Sequence, residues 1–201
     1  METRFLGGKV ELREQDDKPV ISGYAAVFYR ADDAGTEYEL WPDFIERIDR
    51  SAFDAAMNDD VRGLFNHDPG HLLGRTTNGT LKLSIDDTGL RYEITPPDTQ
   101  SGRDVVALLK RGDIDGSSFG FIPRGEGGAE VERDGDRAIR TIRSVELFAV
   151  GPVVYPAYKG TSSEARSLDA AKSEYQAYLE AEARKIAINR RKVEISRQLG
   201  A

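Results

Sequence analysis

Residues Leu81-Lys82-Leu83-Ser84-Ile85-Asp86-Asp87-Thr88-Gly89-Leu90-Arg91-Tyr92-Glu93-Ile94-Thr95 alternate, turn and alternate again. In an extended chain, successive side chains point to opposite faces, so this alternation predicts two half-buried strands. The acidic turn ending in Gly89 joins them as a hairpin. Pro96-Pro97 ends the second strand. The same β character recurs on both sides. Val20 to Phe28 is apolar and β-compatible, with Gly23 inside it as a candidate bulge. Asp113 to Phe121 reads as another strand, and Ala138 to Tyr158 is β-rich and closes at Pro156. Gly125 to Gly135 is rich in Gly and Glu, and reads as a solvated loop or a hairpin tip.

Two helices interrupt this pattern. Ser101 to Arg111 starts with Ser101 as N-cap and Asp104 three residues later, in capping-box order. It carries Val105, Val106, Leu108 and Leu109 as an apolar face and ends in Lys110-Arg111-Gly112. Ser51 to Asn58 is a shorter helix with the same Ser-x-x-Asp start. From Leu168 the composition changes. Gly and Pro vanish until Gly200, and Ala, Glu, Lys and Arg dominate. Leu179, Ile186 and Val193 fall seven apart, which predicts a long helix with a narrow apolar stripe, mostly solvated and loosely tied to the rest.

The 201 residues are 39% hydrophobic and 31% charged, which suits a core plus a solvated segment. The net charge of −7 gives no chain-wide attraction to nucleic acid or to an anionic membrane. No apolar run approaches membrane-spanning length, and Met1-Glu2-Thr3-Arg4-Phe5 lacks the layout of a signal peptide. A soluble protein of a reducing cytoplasm is expected. With no Cys, a thiol nucleophile and a Cys-based zinc site are excluded.

Three segments can carry chemistry. His67, in Phe65-Asn66-His67-Asp68-Pro69-Gly70-His71, is a candidate base because an imidazole titrates near neutrality. The bland alternative is a turn histidine. A metal set of His67, His71 and Asp68 is weak, because Pro69-Gly70 denies the helix that the spacing of the histidines would need. In Asp115-Gly116-Ser117-Ser118-Phe119-Gly120-Phe121, alternation puts Ser117 with Phe119 and Phe121 toward the core. Ser118 and Gly120 then share the other face, where a substrate backbone can approach. Ser118 is the candidate nucleophile; the alternative is a small-residue patch for close strand packing. The third segment, Val145 to Tyr158, holds one carboxylate, Glu146, in an apolar run.

In order, these segments resemble the prohead proteases of tailed bacteriophages of the HK97 type. The resemblance runs from about Ile21 to Thr161. It rests on Gly23-Tyr24-Ala25-Ala26-Val27-Phe28, Ser51-Ala52-Phe53, Asn66-His67-Asp68 with Leu73-Gly74-Arg75-Thr76, and Asp87-Thr88-Gly89-Leu90. It continues through Gly102-Arg103-Asp104, Asp115 to Phe121, and Pro152-Val153-Val154-Tyr155-Pro156-Ala157-Tyr158.

The resemblance implies a serine endopeptidase with His67 and Ser118 as the catalytic pair and no cofactor. It implies a mainly β fold, a closed β-barrel with flanking helices similar to the herpesvirus assembly protease. Residues 1–163 would form that domain and residues 164–201 a helical C-terminal tail. The enzyme would act in the host cytoplasm inside the prohead, on the scaffold or the delta segment of the major capsid protein, and on itself. Nucleic acid and membrane are not expected partners, and the reading allows a homo-oligomer.

The family usually has Glu or Asp in Leu-Phe-Glu-Val-Ser-Pro-Val, where this chain has Ala149. Glu146 as third catalytic residue needs a bulge, since three residues along a strand it would face the other way. Asp68 is another candidate, and a substitution that stops self-cleavage is a third explanation. A catalytically inactive assembly component of protease fold is the alternative function. The Gly125–Gly128 loop is the candidate source of oxyanion donors.

Overall fold

The computed structural model describes residues 1–5, 9–16, 18–155 and 162–199. Thirteen strands and two α-helices are found among them: β1 (Glu2–Phe5), β2 (Glu11–Gln15), β3 (Lys18–Val27), β4 (Tyr38–Trp41), β5 (Phe44–Ile48), β6 (Arg62–Leu64), β7 (Leu72–Arg75), β8 (Leu81–Ile85), β9 (Gly89–Ile94), α1 (Gln100–Arg111), β10 (Gly116–Pro123), β11 (Ala129–Asp134), β12 (Arg137–Ile142), β13 (Val145–Val153) and α2 (Ser162–Leu199). The fold is mainly β with two helices. Pro156-Ala157-Tyr158, part of the resemblance, lies outside the described residues.

The hairpin forms as its alternation demands. β8 pairs antiparallel with β9, and Leu90, Tyr92 and Ile94 on one face of β9 are fully buried. The strands order into three sheets, β1-β10-β13-β6-β7, β11-β12-β5-β4 and β2-β3-β9-β8. The ladders among the described residues do not join into one closed barrel, so that expectation is not met as one continuous sheet. The sheets instead close on each other through side chains. Ile21, Phe28, Phe53, Tyr92, Phe119 and Phe121 belong to one large core cluster.

Four local expectations are corrected. The cap of α1 is Thr99, whose hydroxyl accepts from Gly102 N at 3.2 Å, while the Ser101 hydroxyl is buried without a partner. Gly102 lies so close to the Pro97 carbonyl that a Cβ there would sit 2.1 Å from it, which fixes where the helix turns. Ser51–Asn58 yields only a 3₁₀ turn at Ala55–Asn58, because the Ala52 carbonyl accepts from Val145 N instead of from within a helix. In the Gly-rich stretch, residues 129–134 are strand β11, and Gly135 (φ 62°) makes the turn to β12. The bulge in β3 falls at Ala25, two residues beyond Gly23.

The tail is helical, as its composition predicts, but its first half is not loose. Ala171 is fully buried, Tyr175 packs on Phe44 and Trp41, and Glu174 pairs with Arg140. The free part begins near Leu179, which is exposed like Ile186.

Candidate active site

Strand β10 lies between β1 and β13 and carries both serines. Ser117 is fully buried, and its Oγ lies 2.9 Å from the Tyr92 hydroxyl. Its job is structural. Ser118 faces the other way, and its Oγ lies 2.6 Å from His67 Nε2. The structure therefore brings His67 and Ser118 together across 51 residues of chain.

A tight turn delivers His67. Asn66 and His67 both take left-handed backbone angles (φ 53° and 55°), uncommon outside Gly. Bonds to the end of β13 and to the residue after it hold this turn. Asn66 N donates to the Pro152 carbonyl at 3.0 Å, and Val154 N donates to Asn66 Oδ1 at 2.9 Å. Gly120 lies against the imidazole, since a Cβ there would sit 3.6 Å from His67 Nδ1, in ordinary contact, and 3.2 Å from Met1 Sδ. Burial lowers the His67 pKa to about 4, so the ring is neutral at physiological pH, as a general base must be.

Nδ1 is buried with no hydrogen-bond partner among the described residues. Neither suggested acid reaches it. Asp68 is exposed, accepts from Gly70 N at 2.7 Å and sits 3.3 Å from His71 Nδ1. His71 is thus occupied at the rim, not beside His67 in a ligand set. Glu146, expected as third catalytic residue, is exposed and has no side-chain partner among the described residues. Its geometry also differs from the sequence expectation. Gly120 pairs with Ala149 but Phe121 pairs with Leu147, so Phe148 is bulged out. The bulge turns Glu146 onto the Ser118 face, but opposite Ile122, one step beyond Gly120. Asp59 fixes this kink by accepting from Leu147 N at 2.9 Å.

Ala149, by contrast, is paired directly with Gly120 and almost fully buried. Directly paired side chains share a face with Cβ atoms about 4.5–5.5 Å apart. Position 149, where the resemblance expects an acid, therefore neighbours Gly120, whose own Cβ would sit 3.6 Å from His67 Nδ1.

The Ser118 hydroxyl has a second neighbour, the Arg4 carbonyl of β1, at 2.8 Å. One proton cannot serve both Arg4 O and Nε2. Given to Arg4 O, it leaves Nε2–H to donate to Oγ and satisfies all three groups. Given to Nε2, it places an unpaired N–H at buried Nδ1, a cost of about 1–3 kcal/mol. The resting arrangement is the first, in which the serine is not activated. The Gly125–Gly128 loop is not placed to supply oxyanion donors. It follows Pro123, five residues and so roughly 16 Å along β10 from Ser118.

A family model described as Caudovirus prohead serine protease matches residues 8–174. The chain belongs to that family. Among solved structures, the capsid assembly protease of bacteriophage T4 is a distant likeness, with 11% identity, a TM-score of 0.49, and coverage of 77% of this chain and 96% of that one. No curated protein matches the chain. The prohead protease match extends to Glu174, the residue that ties α2 to Arg140.

Sequence reading missed several residues around this prohead-protease site. Asn66 carried a usable signal, since Asn is favoured at left-handed positions. Arg4 and Asp59 carried none, because their roles rest on contacts 114 and 88 residues away.

Proposed function

We propose that this chain is the endopeptidase of a tailed-phage prohead, with Ser118 as nucleophile and His67 as general base. The observation that carries the reading is the 2.6 Å approach of His67 Nε2 to Ser118 Oγ in a member of this family. His67 takes the Ser118 proton as Oγ attacks the scissile carbonyl, then passes it to the leaving amine, and water releases the acyl group. The substrates are the scaffold or the delta segment of the major capsid protein, and the chain itself, inside the prohead in the host cytoplasm. No cofactor enters this chemistry. Residues 1–163 carry the catalysis, and α2 is an appendage whose start has become part of the core.

With Ala149 in place of an acid, no described residue holds the imidazole in its catalytic tautomer, so the chain is slow. The same residue favours a second reading, an assembly component of protease fold without activity. Mass spectrometry of the coat protein co-expressed with this chain separates the two. Shortened coat protein that disappears with Ser118→Ala and persists with Ser117→Ala supports the protease. Full-length coat protein with the unmodified chain and with an Ala149→Glu variant supports the assembly component.

A further inference from the structure

Strand β1 occupies the edge of β10, the strand that carries Ser118. It runs antiparallel, with Glu2 opposite Phe121, Thr3 opposite Gly120, Arg4 opposite Phe119 and Phe5 opposite Ser118. Its Arg4 carbonyl takes the Ser118 hydroxyl proton, and Met1 Sδ lies 3.2 Å from where a Gly120 Cβ would be, beside His67. A peptide in this position lies where an extended substrate would add to the sheet edge, its backbone giving affinity and alternate side chains giving specificity.

The alternate side chains enter a built pocket. Arg4 is almost fully buried. Its Nε donates to Glu46 Oε1 at 2.5 Å, its Nη2 donates to Glu46 Oε2 at 3.0 Å, and its guanidinium lies over the Phe121 ring. Glu46 is fully buried and shares its second oxygen with Arg140. Glu2, the other inward residue of β1, binds Arg4 Nη2 and Arg140. Take β1 away and Glu46, Glu174 and Arg140 remain, two carboxylates against one guanidinium. The intact cluster is already one positive charge short, three carboxylates against two guanidiniums, and β1, which carries one of each, leaves that deficit unchanged. What the vacated pocket loses is the donor to Glu46 Oε1. A strand with a cation at the place of Arg4 returns that donor over the face of Phe121.

We propose that β1 is a pseudo-substrate held in cis, and that the true substrate is an extended segment with Arg or Lys at the place of Arg4, read by Glu46 and Phe121. The proposal rests on the protease reading of Ser118 but concerns what fills the cleft. Displacing β1 takes the Arg4 carbonyl away from Ser118 and puts the carbonyl of the incoming basic residue in its place, so the bond presented to the nucleophile is the one that follows that residue.

The test is peptide binding, which needs no turnover. Anisotropy of a fluorescein-labelled peptide Met-Glu-Thr-Arg-Phe, and of its twin with Ala for Arg, is measured against the full chain and against its Arg4→Ala variant. The variant should bind the Arg peptide about tenfold or more tighter than the unmodified chain does, and about tenfold tighter than it binds the Ala twin, the worth of a charge-assisted hydrogen bond. Equal binding of both peptides, or binding of neither by a variant that keeps its cooperative melt, overturns the proposal. Should Arg4→Ala fail to fold, the unmodified chain decides. Saturating Arg peptide should speed hydrogen exchange at residues 1–5 and the Ala twin should not; no change with either peptide overturns it. Selective binding without reaction of Ser118 toward a fluorophosphonate would keep this inference and sink the protease reading instead.

Discussion

Two polar clusters flank the β1–β10 pair, on opposite faces of one sheet. On the inner face Arg4, Glu2, Glu46, Arg140 and Glu174 are joined by ion pairs in which every carboxylate meets a guanidinium. On the outer face His67 and Ser118 form one short contact, and Nδ1 has no partner among the described residues. The first cluster is saturated, and a saturated buried network fixes geometry. The second is left incomplete next to a small residue, Ala149, and an incomplete site has somewhere for chemistry to go. Arg140 shows the saturated side in its titration. Burial alone would lower its pKa, but Glu174, Glu46 and Glu2 raise it above its ordinary value. His67 has no such partner, and burial alone sets its direction.

Completing the outer cluster should give the largest effect. Ala149→Glu supplies an acceptor for Nδ1–H, and loss of such an acid costs about 10⁴ in kcat where a full triad exists. Processing of the coat protein should rise by up to that order, while Glu146→Gln in the unmodified chain should change little. A gain of nothing from Ala149→Glu, together with loss of an existing activity in Glu146→Gln, would make Glu146 the orienting acid after all.

Breaking the inner cluster should act on stability. Glu46→Ala leaves Arg4 and Arg140 facing each other in the core, and removing one partner of a buried pair costs about 3–5 kcal/mol. Denaturant unfolding should show that loss, whereas Ser118→Ala should leave the midpoint nearly unchanged. A small effect from Glu46→Ala would mean that water reaches the cluster and that it does not fix β1.

The titration of His67 sharpens the contrast. With its pKa lowered to about 4, the imidazole stays neutral as pH falls from 7 to 5. The unfolded chain takes up a proton near pH 6.5 that the native ring refuses, so His67 subtracts stability as pH falls from about 6.5 to about 4, and no more below that. NMR of the ring protons should place the midpoint near 4 in the unmodified chain and higher in Ala149→Glu, where a carboxylate favours the imidazolium. Equal midpoints would mean that position 149 does not face the ring.

The smallest effect is expected at the tail. Removing residues after Glu182 should leave the melting temperature unchanged. Removing residues after Ser167 takes away Ala171, Glu174 and Tyr175 and should lower it by several degrees. If both truncations behave alike, α2 does not belong to the core at either end.

What could be read from the sequence was local. Alternation placed Ser117 inward and Ser118 outward, and it drew the β8–β9 hairpin, because a strand's period of two needs no partner to be visible. The break in composition at Leu168 announced α2. Each miss involved a partner distant in sequence. The pairing of β1 with β10 joins residues more than 110 positions apart, and nothing in Glu2-Thr3-Arg4-Phe5 names its neighbour. The bulge at Phe148 depends on Asp59, so the face of Glu146 could not be counted from the sequence alone. The place of His67 was legible only as a polar loop, since its left-handed turn is held by backbone groups at the end of β13 and just after it.

The central claim is that Ser118, activated by His67, is the nucleophile of an incomplete triad. Peptide mapping of the Ala149→Glu chain after reaction with a fluorophosphonate tests it most directly. The expected result is one adduct, on Ser118, lost when His67→Ala is added. An adduct on Ser117, or labelling of Ser118 that is indifferent to His67, would contradict it.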